Sequence, residues 1–417
     1  GALMGKKKLK AIAVHGSGSV RLHDSEQFWS ATMDMHEKIA ADPVSFGSFR
    51  AYGTASLVNL INEMGAYPTR NFQYDTFEGA ANTSGEAVVE EILQRNRACF
   101  ACPIACTRVS EVKDGPYKGR GEGPEYESIW ALGALCGVSD LAAVAKANFI
   151  CGDYGIDTIS TGATIACAME LFEKGALSEK EIGFSMRFGD AAAMVRAVEM
   201  TGKREGFGEV LADGSYRLAA RYGHPEFFMG VKKLEMSAYS PRVFQGMALQ
   251  YATSNRGACH VRGNTVAAEL YGIPRYMAPE LLEQKEEMVR RPFQNSTAFV
   301  DSTGICLFTK FAITHREICA LLTPATGLDF SFDRSIEQGD RIWNIERMFN
   351  LRAGFTSDDD KLPQRVTEPS PDGPRAGSRA VLHEHLQTYY QLRGWDRSGR
   401  PTRAKLDELG LEDWWGV

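Results

Sequence analysis

Cys99-Phe-Ala-Cys102-Pro-Ile-Ala-Cys106 is the stretch on which the reading of this chain turns. Its thiols are separated by two and three residues. Thiolates this close converge on one soft metal centre. Three local thiolates leave a 4Fe–4S cluster one ligand short, so a fourth cysteine has to come from elsewhere. Zinc competes with this reading, but no second Cys/His pair of the usual kind lies nearby. The remaining alternative is three buried free thiols. Cys306 is the candidate fourth ligand, because Gly304 before it permits a tight turn; the other scattered cysteines compete with it.

Working outward, helical spacing over Gly85 to Arg97 runs into the cysteines. Just after them comes Glu122-Gly-Pro-Glu125-Tyr-Glu127. A carboxyl confined away from water gains a raised pKa and serves as an acid or base, whereas a solvated acidic loop does neither. His260, in Asn255-Arg-Gly-Ala-Cys-His260, is suited to shuttling a proton or holding a carbonyl, although a lone histidine is more often structural. Arg256 and Gly257 form an anion-binding turn. Asp157 and Asp301 read either as helix caps or as acceptors for the N–H groups of a heterocycle. Gly152-Asp-Tyr-Gly-Ile-Asp157 and Asp301-Ser-Thr-Gly-Ile-Cys306 echo each other as x-x-x-Gly-Ile-(Asp/Cys).

The rest of the chain reads mainly α. Helices are expected over Phe28–Ala41, Leu57–Met64, Asp140 to Ile150, Thr158–Glu173 and Asp190 to Gly202, with a capping box at Ser178 and Glu181. Further helices are expected over Asp213–Tyr222, Val243–Ala252, Pro279–Val289, Ser335–Ala353, Ser378–Arg393 and Thr402–Leu409. His224-Pro225 marks a boundary, giving helical domains over 15–225 and 226–417. Thr356 to Gly377 reads as a long loop serving as lid or channel wall. Strands are few: Phe227 to Val231, and Leu9 to Val14 after a turn at Gly1 to Gly5. The strand at Leu9 has no partner nearby, and a strand needs a sheet. Residues 1–14 therefore read as the remnant of an N-terminal β-domain, in a chain that begins inside a longer protein.

Composition narrows the function class. The 417 residues are 44% hydrophobic and 24% charged, with a net charge of -6, a globular profile with little to offer phosphate backbones; nucleic acid is not an expected partner. No apolar run is long enough for a membrane span and no secretory signal is legible. Nine cysteines, three of them clustered, point to metal binding in a reducing compartment, the cytoplasm.

Taken in order, the cysteine motif, Gly123-Pro-Glu-Tyr-Glu127-Ser-Ile-Trp-Ala-Leu-Gly133, Gly155-Ile-Asp157-Thr-Ile-Ser-Thr-Gly162 and Asp301-Ser-Thr-Gly-Ile-Cys306 resemble the tungsten-containing aldehyde:ferredoxin oxidoreductase family. Gly1 to Val14 resembles the segment ending that family's N-terminal domain, and Gly394-Trp-Asp to Leu409-Gly-Leu resembles its C-terminus. The resemblance implies a tungsten (or molybdenum) ion held by two pterins beside a 4Fe–4S cluster, in the C-terminal two-thirds of the family's chain. It implies Cys99, Cys102, Cys106 and Cys306 as cluster ligands. It implies Asp157 and Asp301, the latter with Gly304, as pterin-binding residues, and Glu127 and His260 as the acid–base pair. The first pterin motif departs from the family at Gly152, where an acidic residue is usual; Asp153 is the substitute. The implied reaction is aldehyde oxidation, with electrons leaving to ferredoxin or a small iron–sulfur subunit, and a homodimer is possible. Rival readings are a tungsten benzoyl-CoA reductase-like subunit and a non-catalytic 4Fe–4S electron-transfer fragment.

Overall fold

The structure, a computed structural model, describes residues 1–272 and 284–416. Helices dominate, and several begin where the sequence placed their caps. Asp140, Asp157 and Asp190 each accept the N–H of the third following residue and open the helices Leu141–Tyr154, Thr158–Glu173 and Ala191–Lys203. Ser178 and Glu181 form the capping box of Glu179–Ile182. The helix Thr158–Glu173 is buried along most of its length and packs on Tyr126–Leu132. The contact depends on Gly162, where an added Cβ would lie 2.3 Å from the Ala131 carbonyl oxygen.

The largest buried cluster runs from Ala55 to Val266 and takes in Leu362, Val366 and Ala380 from near the C-terminus. A second core joins Met35, Ile39, Phe49 and Ile104 to Phe299, Val300, Ile313 and Ile318. Segments far apart in sequence, either side of the cysteine motif, thus share one apolar centre. Burial of such side chains contributes roughly 1.5–3 kcal/mol each.

Two expectations are corrected. Leu9–Val14 forms no strand: Leu9, Ile12 and Val14 are exposed on an irregular segment, because no neighbouring strand supplies hydrogen bonds, and a short helix, Ala2–Lys6, replaces the turn before it. The helix expected over Gly85–Arg97 stops early. Gly85–Ile92 is helical, but the polar run Leu93–Arg97 lacks an apolar stripe and becomes strand β1. Together with β2 (Thr107–Val112) and β3 (Gly119–Glu122), β1 forms an antiparallel sheet in the order β1-β2-β3, with Arg97 opposite Thr107 and Val109 opposite Glu122. The cysteine motif is the loop joining β1 to β2. A smaller hairpin pairs β4 (Gly230–Val231) with β5 (Leu234–Glu235), so only the end of the strand expected over Phe227–Val231 is present.

In the C-terminal part, the helix expected over Pro279–Val289 lies partly outside the described residues; Lys285–Met288 is helical. Phe332–Arg352 and Arg403–Glu408 match expectation closely, whereas the helix expected over Ser378–Arg393 begins only at His383. The Thr356–Gly377 segment is strapped down by buried ion pairs. Asp360 meets Lys232 at 2.6 Å and Arg347 at 2.8 Å, and Asp372 accepts the Asp75 N–H at 2.8 Å. Among the described residues no single helix is long and apolar enough to cross a membrane.

Candidate active site and cluster loop

Glu127 is the second residue of Tyr126–Leu132, a helix otherwise buried along its length. One carboxylate oxygen, Oε2, accepts the Ala238 N–H at 2.9 Å. The other, Oε1, is buried without a hydrogen-bond partner and lies 3.5 Å from His260 Nε2. Burial pushes the Glu127 carboxyl up to about 8; the Ala238 N–H opposes this and the Asp157 charge adds to it. Burial pushes His260 down to about 4, helped by the charges of Arg256 and then Lys310. At pH 7 the pair is therefore a neutral carboxyl facing a neutral imidazole.

Lys310 was not singled out by the sequence reading. Its ammonium is buried with no hydrogen-bond partner, 5.7 Å and 5.8 Å from the ring centres of Phe293 and Phe311, and burial lowers its pKa to about 8. A lysine inside the apolar run Ile305 to Ile313 was the available signal. The other members of the acidic run serve different ends. Glu122 pairs with Arg97 at the surface at 3.1 Å, and Glu125 accepts the Thr54 hydroxyl at 2.5 Å.

The four candidate cluster cysteines come together. Cys102 and Cys106 pack against the same buried second core as Ile305 and Phe308, which flank Cys306 in sequence. Burial, Glu125, Cys306 and Cys102 push the Cys106 thiol up to about 12, and Cys306 is raised by burial with Cys102 and Cys99 among the further causes. Among the described residues no three His, Cys, Asp or Glu side chains close on a single ion. Cys106 feels the charges of Cys306 and Cys102, and Cys306 those of Cys102 and Cys99. Ala101 and Ala105 take left-handed backbone angles, φ 53° and 55°, turning the chain just before Cys102 and Cys106. Arg108 fixes that loop from below. Its guanidinium donates to the carbonyls of Cys106 (3.2 Å), Ala51 (2.8 Å), Phe49 (3.2 Å), Arg50 (3.0 Å) and Ala105 (3.0 Å).

The sequence echo has a structural counterpart. Gly155 (φ 66°) and Gly304 (φ 76°) each end a helix in the left-handed conformation. Asp157 and Cys306 then open the next helix from an extended backbone. The Asp157 carboxylate is spent on the Ser160 N–H at 2.7 Å, while Cys306 makes no capping bond. A cavity of about 300 Å³ opens at Asp157, with Ser160, Thr161, Thr164, Thr201 and Arg204 on its walls. Three of these hydroxyls donate within the protein, Ser160 to Glu235 at 2.8 Å, Thr164 to the Ser160 carbonyl at 2.6 Å and Thr201 to the Ala197 carbonyl at 2.7 Å. Asp301 lies 3.9 Å from Arg262, which also pairs with Glu346. Asp153 is exposed on the last turn of its helix. The structure thus brings Glu127 within charge reach of Asp157 and 3.5 Å from His260, gathers the four cysteines, places Asp301 within charge reach of Arg256, which also acts on His260, and leaves Asp153 exposed.

A family model described as aldehyde ferredoxin oxidoreductase, domains 2 and 3, matches residues 30–411. The chain belongs to the aldehyde ferredoxin oxidoreductase family. It is 46% identical over 419 aligned positions to the tungsten-containing aldehyde ferredoxin oxidoreductase of Pyrococcus furiosus, covering 100% of this chain and 69% of that protein. It is 47% identical to the tungsten-containing aldehyde ferredoxin oxidoreductase of Thermococcus kodakarensis, over 99% of this chain and 68% of the relative. A more distant relative, at 26% identity, is the WOR-like subunit of an aliphatic sulfonate oxidoreductase of Pyrococcus furiosus. Among solved structures, the active-site complex BamBC of benzoyl coenzyme A reductase matches with a TM-score of 0.78 at 17% identity, over 99% of this chain and 69% of that one. That likeness establishes the fold, the mainly α architecture of the C-terminal domains of aldehyde ferredoxin oxidoreductases.

Proposed function

We propose that this chain oxidises aldehydes to carboxylic acids at the Glu127–His260 pair and delivers the electrons through a cluster to ferredoxin. The observation that carries the reading is the buried pair itself, a carboxyl raised to about 8 with one oxygen free, 3.5 Å from a neutral imidazole. The relatives named as tungsten-containing aldehyde ferredoxin oxidoreductases support it.

Cys99, Cys102, Cys106 and Cys306 would hold the 4Fe–4S cluster. Asp157, with its hydroxyl-lined cavity, and Asp301, with Gly304, would hold the pterins of a tungsten or molybdenum centre, and Asp153 would replace the acid missing at Gly152. When bound, these groups supply the two-electron oxidation at the aldehyde carbon and its onward relay in single electrons. The protein's own residues handle position and protons. Oxidation of an aldehyde to an acid consumes water and releases protons along with the electron pair. Glu127, in the ionised form it takes as pH rises through about 8, is the acceptor: Oε2 is anchored by Ala238, and Oε1 is free to take a proton from the water. His260, kept neutral, offers a ring N–H to the carbonyl oxygen and orients it. The soluble partner is a ferredoxin or a small iron–sulfur subunit, met at the exposed side of Cys99 and Cys306.

The test is aldehyde-dependent reduction of ferredoxin by protein purified without oxygen, with iron and tungsten measured on the same sample. Turnover with both metals present is the expected result. Metal-replete protein that ignores aldehydes but exchanges electrons with benzoyl-CoA or its dienoyl product would contradict it.

A further inference from the structure

Four tyrosines lie within charge reach of the Glu127 carboxyl: Tyr67, Tyr126, Tyr239 and Tyr251. All are buried. Burial holds each phenol well above its ordinary range, and the Glu127 charge is among the further causes in every case. Three of the hydroxyls are already committed. Tyr126 Oη donates to the Ala238 carbonyl at 2.8 Å, on the same residue whose N–H anchors Glu127. Tyr251 Oη shares a hydrogen bond with Ser237 Oγ at 2.8 Å. Tyr239 is hydrogen-bonded by the Asn264 side chain.

Tyr67 is the exception. Its side chain is 0% exposed and its hydroxyl has no partner. Buried polar groups left unmatched are costly and rare, and each calls for a reason. Here the unmatched donor is within charge reach of an unmatched acceptor, Glu127 Oε1. A ligand oxygen that accepts from Tyr67, with water losing a proton to Glu127, would satisfy both.

The backbone that carries Tyr67 is held rigidly. Its N–H donates to the Asp75 carbonyl at 2.9 Å, and Thr69 bridges to Tyr74. The chain reverses through three consecutive non-glycine residues with positive φ: Arg70 (45°), Asn71 (54°) and Phe72 (62°). Such strain survives only where the surroundings over-determine it, and it clusters at functional sites. The surroundings do so here. Asn71 donates to Glu170 at 2.6 Å and to the Phe227 carbonyl at 2.9 Å, and Arg242 donates to the Phe72 carbonyl and the Asp75 carboxylate, both at 3.1 Å. Trp130, on the helix of Glu127, donates to the Pro68 carbonyl at 2.7 Å, which locks the residue after Tyr67 to the element that carries the base.

We propose that Tyr67 is a further catalytic residue, whose hydroxyl donates a hydrogen bond to the oxygen on the substrate carbon being oxidised. The inference rests on the aldehyde-oxidising reading of the Glu127–His260 pair. The Tyr67 proton is not transferred; the proton lost in the reaction comes from water and goes to Glu127, and the electron pair leaves as described above. A preorganised donor of this kind acts where negative charge develops on oxygen.

The experiment is Tyr67→Phe, which removes one oxygen atom and nothing else. Because that oxygen has no partner in the folded protein, the variant should melt at the wild-type temperature or above, with iron and tungsten content unchanged. Its kcat/KM for aldehydes should fall about tenfold to a hundredfold, below the cost of losing a full oxyanion-hole donor, with the pH of half-maximal rate unmoved. Wild-type kcat/KM in the variant would overturn the proposal. So would a loss explained entirely by a displaced pH profile, which would make Tyr67 a positioning residue for Glu127, and so would lowered stability or lost metal, which would mean that the hydroxyl has a structural partner. Wild-type protein inert to aldehydes with both metals bound would overturn the reading of the pair itself, before the variant is measured.

Discussion

Around Glu127 the protein withdraws ionisable groups from water and leaves them without counter-charges, whereas around Cys106 it supplies a cation and ties it to backbone. In the first region the carboxyl, the imidazole and the Lys310 ammonium are all shifted toward their neutral forms by burial. In the second, five hydrogen bonds from Arg108 run to carbonyls, two of them in the cysteine motif, and the neighbouring thiols stay near the surface. The contrast separates two tasks. A group that must gain and lose a proton needs an environment that leaves its two forms close in energy near the working pH. A ligand that must hold metal needs fixed geometry and a nearby positive charge, because a thiolate-ligated cluster is anionic and becomes more so on reduction.

The comparison is broken most severely by Glu127→Gln. It should lower kcat about a hundredfold to ten-thousandfold, the range for a lost acid or base, while iron and tungsten stay bound. In the wild type the rate should rise with pH through about 8 as Glu127 ionises, and the variant should lose that dependence. Stability carries the same signature. The folded carboxyl binds its proton more tightly than the unfolded one, so stability falls as pH rises from the ordinary carboxyl range through about 8. Glu127→Gln should remove that fall, melting higher than wild type at pH 9.

Cysteine substitutions sharpen the other side. Cys306→Ser should abolish the cluster's visible absorbance, whereas Cys136→Ser, at a thiol buried against the carbonyls of Ala131 and Gly162, should leave it intact. Equal loss in both would mean that the four gathered thiols are not the ligands. A smaller effect is expected from Arg108→Gln, which removes the buried charge and most of the fork. Iron content should drop in part and the surviving cluster should reduce at a more negative potential; an unchanged potential would contradict the electrostatic contrast. Smallest of all, Lys310→Met should raise the His260 pKa slightly, read by NMR titration of the imidazole, since Lys310 is a lesser cause than burial.

Much of the helical frame was legible because its signals are local. Asp140, Asp157 and Asp190 cap where expected, and Thr158–Glu173 has the predicted limits, since a cap and an apolar stripe are both written within a few residues. The apolar run Leu9–Val14 misled because β character in isolation says nothing about a partner strand. The run Leu93–Arg97 was missed because its strand is paid for by β2, across a loop that looked helical. In the site, the grouping of Glu127 with His260 and of Cys306 with the three clustered cysteines came from the family resemblance and not from residue spacing. Cys306 joins the loop through Ile104, Phe49 and Phe308, contacts that exist only after the second core has packed. Tyr67 and Arg108 were invisible for the same reason. What sets them apart is a missing partner or a set of backbone acceptors, and neither is a property of sequence.

The most direct test of the account is to mix oxidised, metal-replete protein with aldehyde under anaerobic conditions and follow the EPR signal of the reduced cluster. The account predicts that the signal appears rapidly in the wild type and slows by at least about a hundredfold in Glu127→Gln. A cluster that reduces at the wild-type rate without the Glu127 carboxylate would contradict it.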